Sequence, residues 1–270
     1  MVLVPLVAAP SLMLAVSAAE RRLGPAVAGA MAALPVALSI IVLAVGAELG
    51  RDAGATLAAA AAAHVVAQVA FALAFAAVIT RRGGALGLLA GVASFALVSL
   101  LVEPLTPALA IAFAVPALLL TGARPPALEG PDPRPAVDQR RERGVVALGA
   151  GAALVMVATA LGTAEVAGPA AAGAIGAFPA LSTAFALVLV RTRGAQAAAR
   201  ALRGLVGGLR AYLVFCVTVA VAAPVLGVYS AVPLALALCL ATYAVVYSSF
   251  RLRNSVGVGP FGVVEKPERS

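Results

Sequence analysis

Runs of about 20 apolar residues recur along the whole chain, and charged residues are confined to the stretches between them. One such run is the length that a helix needs to cross about 30 Å of hydrocarbon. Of the 270 residues, 63% are hydrophobic and 11% are charged, whereas soluble domains carry about 25% charged residues. The pattern excludes a water-soluble domain and a protein with a single anchor. We predict an all-α polytopic membrane protein.

Nine transmembrane spans are predicted from the positions of the charges. They cover residues 2–19, 25–46, 56–80, 85–102, 105–121, 145–163, 169–190, 211–227 and 229–249. The first run resembles a signal peptide, but no positive charge precedes it and Arg21 and Arg22 follow it. We therefore predict a retained first span. The breaks at residues 103–107 and 224–227 rest on prolines, and a kink is the alternative at each.

The basic residues predict the orientation. With the N-terminus outside and the C-terminus inside, 18 Lys and Arg residues fall in inside loops and only Arg51 falls outside. This asymmetry matches the positive-inside rule. It also accounts for the high pI without nucleic-acid binding, which we do not predict. Heavy use of alanine and arginine is typical of a GC-rich bacterial genome, and we predict the bacterial cytoplasmic (inner) membrane.

An internal repeat divides the chain. Residues 24–39 recur as residues 168–183, with matched Gly24/Gly168, Pro25/Pro169, Gly29/Gly173 and Pro35/Pro179. The offset of 144 residues lays spans one to four over spans six to nine. The fifth span has no counterpart and reverses the second copy, so we predict an inverted repeat of four spans, one connector and four spans, as in secondary transporters. Coincidence within an alanine-rich sequence is the alternative.

This repeat sets the predicted organisation of the chain. Residues 1–104 form the first four-span repeat, 105–121 the connecting span, 122–144 a Pro/Arg-rich cytoplasmic linker, 145–250 the second repeat and 251–270 a cytoplasmic tail.

One stretch of the first repeat carries a family resemblance. Val27-Ala28-Gly29, Pro35 and Glu48-Leu49-Gly50, within a four-span unit, resemble the GlpM-type family of small bacterial membrane proteins. The resemblance covers about fifty residues, and the second copy departs from it with Val190-Arg191-Thr192 in place of the acidic turn. It implies a four-span helical unit present here as a tandem (fused, inverted) pair. It implies no substrate and no catalytic residue.

Two matched prolines predict the substrate site. Pro35 and Pro179 lie near the centres of their spans, where each removes a helical hydrogen bond and frees a carbonyl. Such a carbonyl needs a polar neighbour or a water-filled cavity. Ser39, Ser182 and Thr183 follow within about one turn. We predict two interrupted helices that meet at a midplane site; ordinary packing kinks are the alternative.

The only histidine, His64, falls inside the third span, with Gln68 one turn away. An ionisable residue at membrane depth is a functional candidate, and we include both residues in the predicted site. The alternative is a neutral imidazole that is hydrogen-bonded to Gln68 or to a neighbouring serine and has no function in binding. No acid or cysteine lies near His64 at ligand spacing, so neither a metal nor another cofactor is predicted.

Three arginines precede the eighth span. Arg200, Arg203 and Arg210 share one side of a predicted helix with an apolar opposite face. We predict an interfacial amphipathic helix whose arginines contact anionic lipid head groups. Charge that sets topology and binds no ligand is the alternative.

Acidic residues are absent from the predicted spans, since Glu48, Glu103 and Glu165 all fall at span ends or in loops. With no Trp either, recognition of lipophilic cations is disfavoured. We predict a transporter or flippase-like carrier for a neutral or anionic substrate, including a lipid-linked one. The alternative is a non-transporting scaffold or accessory subunit, as a homo-oligomer or with a membrane-protein partner. We predict no enzyme, because no cluster of acid, base and nucleophile lies at membrane depth.

Overall fold

The computed structural model of the chain describes Ala18, residues 22–121 and residues 139–255. Within these ranges it is all-helical. The helices are α1 (Pro25–Met31), α2 (Val36–Glu48), α3 (Arg51–Ala63), α4 (Val65–Arg82), α5 (Gly84–Val102), α6 (Pro107–Thr121), α7 (Gln139–Gly176), α8 (Ala180–Arg193), α9 (Ala195–Leu226) and α10 (Val228–Ser255).

The helices have the length and composition of membrane spans. Six apolar segments of 19 to 40 residues are long enough to cross a bilayer, and the apolar helix α6 is shorter. Large side chains on their outer faces are uncovered, including Leu100 at 73% and Leu120 at 81% exposure. Such faces suit lipid rather than water. The chain is therefore a helical membrane protein.

The helix boundaries differ most from the predicted spans in α7 and α9. Helix α7 begins at Gln139, inside the predicted linker, continues through the sixth predicted span, kinks sharply at Gly168 and ends at Gly176, within the seventh. Helix α9 is continuous from Ala195 to Leu226, so residues 195–210 are not a separate interfacial helix. Alanine and leucine favour the helix there, and no proline interrupts it before Pro224. The predicted span 2–19 and residues 122–138 and 256–270 lie outside the described residues, apart from Ala18.

Six glycines share one backbone conformation, five of them at turns between helices and Gly168 at the kink within α7. They are Gly24, Gly50, Gly83, Gly168, Gly194 and Gly227, with φ between 76° and 94°. This region of backbone space with ψ near 180° is nearly exclusive to glycine. The six form three pairs at the 144-residue offset of the sequence repeat: Gly24/Gly168, Gly50/Gly194 and Gly83/Gly227. Only the first pair lies within the sequence match that revealed the repeat.

Small residues allow close helix contact, as the Gly83, Gly87 and Gly91 spacing predicts. A Cβ on Gly87 would lie 2.9 Å from the ring of Phe75, and one on Gly91 would lie 3.0 Å from the ring of Phe71. These contacts pack α4 against α5. Gly83 instead forms the turn between the two helices.

Candidate functional site

Both predicted helix interruptions are present. Helix α1 ends at Met31 and α2 begins after Pro35, while α7 ends at Gly176 and α8 begins after Pro179. In each, a carbonyl accepts a hydrogen bond from the second following residue: Val36 N–H donates to Leu34 (2.9 Å) and Ala180 N–H to Phe178 (2.8 Å). With φ of −80° at both prolines, these are inverse γ-turns.

The carbonyl of each proline accepts two hydrogen bonds, one from the backbone N–H and one from the hydroxyl of the same residue, Ser39 or Thr183. Ser39 Oγ donates to Pro35 O at 2.7 Å, and Thr183 Oγ1 donates to Pro179 O at 2.8 Å. Ser39 and Thr183 are themselves related by the 144-residue offset. The two interruptions therefore share a backbone conformation and the hydroxyl that stabilises it.

The two interruptions contact each other. Ser182 Oγ donates to Ala32 O at 3.3 Å, and Leu38 lies 3.2 Å from the position that a Cβ on Gly176 would occupy. Adding 144 to Leu38 gives Ser182, and adding 144 to Ala32 gives Gly176. Position 38 of the first copy therefore contacts the second copy as position 182 of the second copy contacts the first.

Close glycine contacts show the same reciprocity. A Cβ on Gly29 would overlap the carbonyl of Ala201, and one on Gly173 would overlap the carbonyl of Leu57. The two contacts are related by the repeat, because Gly173 is the counterpart of Gly29 and Leu57 is the counterpart of Ala201. Reciprocal contacts of this kind are those of a two-fold symmetric interface.

A second reciprocal set lies further from the breaks. Val228 lies against Gly46, and Val190 lies against Gly84. These four positions are again two pairs separated by 144 residues. The reciprocal contacts at the 144-residue offset therefore extend beyond the interrupted helices.

A small cavity lies between the interruptions. Its volume is about 40 Å³, and residues of both breaks line it, including Pro35 and Pro179. Gln68 and Tyr212 reach it from α4 and α9. One water molecule needs roughly 10–15 Å³ by the same measure, so the cavity has room for about three such groups.

Gln68 and Tyr212 bring unsatisfied polar atoms to this cavity. They are 3% and 6% exposed. Neither Gln68 Nε2 nor Tyr212 OH makes a hydrogen bond of good geometry among the described residues, although the Tyr212 hydroxyl lies near both Gln68 and Cys216. The two side chains approach each other, and their positions are 144 residues apart. Tyr212 was not among the predicted site residues, although applying the repeat offset to Gln68 identifies it.

Helices α2 and α8 add backbone donors. The N–H groups of Ala37 and Leu38 begin α2, and those of Leu181 and Ser182 begin α8. The first-turn N–H groups of a helix have no partner within that helix. Neither helix has a side-chain cap, and no other partner for these four N–H groups occurs within the described chain. All four residues line the cavity.

His64 lies outside this cavity. Its Nδ1 is 2.8 Å from Ala60 O, which requires Nδ1 to carry a proton because a carbonyl only accepts. The residue joins α3 to α4 and is 4% exposed. Its partner is therefore a backbone carbonyl, and neither Gln68 nor a serine as the sequence analysis proposed.

The three arginines predicted to contact lipid head groups differ in burial and in contacts. Arg210 turns inward, where Nη2 donates to Leu118 O at 3.1 Å in the last turn of α6. Arg200 is half-buried, and Arg203 alone is exposed. The neighbouring residues 197–199 are buried, because this part of α9 packs against other helices of the protein.

A larger apolar groove adjoins the cavity. It encloses about 730 Å³ between α5 and α7, and its lining includes Phe95, Val155 and Thr159. Met156, Phe178 and Ala180 line both spaces. No group of His, Cys, Asp or Glu suited to a metal ion occurs within the described ranges.

Comparison with known proteins gave no match to a family model, a curated protein or a solved structure. These comparisons do not test the resemblance to the GlpM-type family, which stays a prediction.

Proposed function

We propose that the protein is a carrier of the bacterial cytoplasmic (inner) membrane for a small neutral or anionic substrate, which binds between the two interrupted helices. The observation that carries this proposal is the cavity bounded by Pro35 and Pro179. A scaffold needs no polar space there, and alanine-rich helices are able to close it by packing alone. Interrupted helices at a repeat interface are how secondary transporters build a midplane site.

The proposal includes the inverted repeat. The paired glycine turns and the reciprocal contacts support it, because both follow the offset found in the sequence. Nine spans with the N-terminus outside account for the 18 to 1 distribution of Lys and Arg. In this arrangement an odd number of crossings separates Gly24 from Gly168, which places the repeats in opposite orientations.

A flippase-like carrier of a lipid-linked substrate is the second candidate. The apolar groove between α5 and α7 supports it, since a groove of about 730 Å³ that shares residues with the polar cavity suits an acyl chain. The lipid would then enter sideways from the bilayer, with its polar group at the interruptions.

Uptake into proteoliposomes tests the carrier proposal. Vesicles containing the purified protein are incubated with a pool of small neutral and monoanionic solutes, and their contents are measured by mass spectrometry. We expect at least one solute to enter faster than into protein-free vesicles. Fluorescent phospholipid accessible to dithionite, in the same vesicles, tests the flippase alternative. Equal entry of every solute and lipid with and without protein would favour the scaffold.

A further inference from the structure

The residues that line the small cavity bring free hydrogen-bonding groups of both kinds. The donors are one side-chain amide nitrogen and four backbone N–H groups, those of Gln68, Ala37, Leu38, Leu181 and Ser182. The acceptors are carbonyls that receive no hydrogen bond within the described chain, those of Ala33, Gly176 and Ala177. Ala33 and Ala177 are equivalent in the repeat, so each half of the protein supplies both donors and an acceptor.

The helix ends at the cavity oppose one another in charge. Helices α2 and α8 begin there, while α1 and α7 end beside it at Met31 and Gly176. A helix N-terminus carries roughly half a positive charge and a C-terminus roughly half a negative charge. Because ends of both signs meet at one small space, the backbone favours neither an anion nor a cation.

No charged side chain changes this balance. The cavity lining contains no Asp, Glu, Lys, Arg or His among the described residues. An ion of either sign would therefore leave water without meeting a counter-ion, which is costly in a buried site. A ligand that suits this cavity is neutral.

The free groups also restrict the chemistry of a neutral ligand. A buried donor or acceptor that stays unpaired is costly, so a ligand that only donates or only accepts would leave one kind of group unpaired. The volume of about 40 Å³ has room for about three water-sized groups. A small primary amide fits both limits, because it carries N–H donors and a carbonyl acceptor.

We propose that this cavity binds a small neutral molecule that both donates and accepts hydrogen bonds, of the size and chemistry of formamide, with Gln68 as its side-chain ligand. This inference rests on the proposed function for its biological role, and it narrows the substrate class of the same site to neutral solutes. Water has the same hydrogen-bonding chemistry, and the experiment distinguishes the two.

Three probes of one shape test the proposal. Formamide is neutral and both donates and accepts, formate is an anion that only accepts, and formamidinium is a cation that only donates. Each has a carbon-bound proton that saturation-transfer difference NMR detects, with the purified full chain in deuterated detergent at constant ionic strength. We expect transfer to formamide that saturates with its concentration, and transfer to either ion that is weaker by about fivefold or more.

Two matched variants then locate the site. Gln68→Met removes the amide from the cavity and keeps the side-chain length, whereas Gln196→Met makes the same change at an exposed position. We expect Gln68→Met to weaken formamide binding about fivefold, as the loss of one hydrogen bond predicts, and Gln196→Met to bind like the wild type. Thermal melting shows whether each variant is folded. The comparison of the three probes uses the wild type and does not depend on the variants.

Three results would overturn the inference. Transfer to formamide no greater than with empty micelles would mean that the cavity admits water alone. Equal or stronger transfer to formate or formamidinium would mean that the site prefers a charge. A folded Gln68→Met variant that binds formamide like the wild type would place the ligand elsewhere.

Uptake measurements separate this inference from the carrier proposal. Formamide binding without uptake of any solute would support the inference and contradict the carrier. Uptake of other solutes without formamide binding would contradict the inference alone.

Discussion

Replacing Pro35 or Pro179 with alanine is expected to reduce substrate uptake strongly while the protein stays folded. Alanine restores a backbone N–H and is favoured over proline in a helix interior by about 3 kcal/mol. A continuous helix would pair the free N–H groups of Ala37 and Leu38 with carbonyls one turn back. The cavity would then lose its backbone donors, and we expect uptake to fall about tenfold or more.

The matched control is Pro116→Ala. Pro116 lies inside α6, is exposed and does not line the cavity, so its replacement should leave uptake near the wild-type rate. Because Pro35 and Pro179 occupy equivalent positions, both variants should show the same defect in uptake measured with the solute identified in proteoliposomes. Full activity in either folded variant would contradict a shared site and would favour the scaffold.

Gly204→Ala is expected to destabilise the protein strongly. A Cβ on Gly204 would overlap the backbone carbonyl of Ala26, and a carbonyl in a packed helix cannot move aside as a flexible side chain does. Overpacking of a core typically costs about 1–3 kcal/mol. This contact joins α1 to α9, and the expected result is a lower melting temperature in detergent.

Gly207→Ala on the same helix is the control. Apart from the adjacent residues and the backbone of its own helix, no atom lies within 4 Å of the position of a Cβ on Gly207. Alanine is also a better helix former than glycine by about 1 kcal/mol. Its melting temperature should match or exceed that of the wild type. A Cβ on Gly173 would likewise overlap a backbone carbonyl, that of Leu57, so Gly173→Ala should resemble Gly204→Ala. Equal stability of Gly204→Ala and Gly207→Ala would contradict the close approach of α1 and α9.

The sequence predicted the membrane class because its apolar runs leave no other solution for a helical chain. It also located both helix interruptions, since proline cannot continue a helix interior. The offset between Pro35 and Pro179 held further information, because the same offset relates the glycine turns at Gly50 and Gly194. Local sequence chemistry was sufficient for these features.

The donors of the cavity were harder to predict. Backbone N–H groups are present at every residue, and only the three-dimensional end of a helix leaves them unpaired. Tyr212 reads as an ordinary core aromatic until its repeat position is compared with that of Gln68. The partners of His64 and Arg210 could not be predicted for a related reason. His64 bonds Ala60 O and Arg210 bonds Leu118 O, and the sequence does not show which backbone carbonyl a side chain will reach.

Single-cysteine labelling from each side of the membrane tests the inverted repeat most directly. Asp52 and Gln196 are exposed and are equivalent in the repeat. Each is replaced by cysteine in a chain whose buried Cys216 and Cys239 have become alanine, and intact cells are treated with a membrane-impermeant maleimide before and after lysis. We predict that Asp52→Cys reacts from outside and that Gln196→Cys reacts only after lysis. Labelling of both positions from the same side would contradict the inverted repeat and, with it, the site shared between its halves.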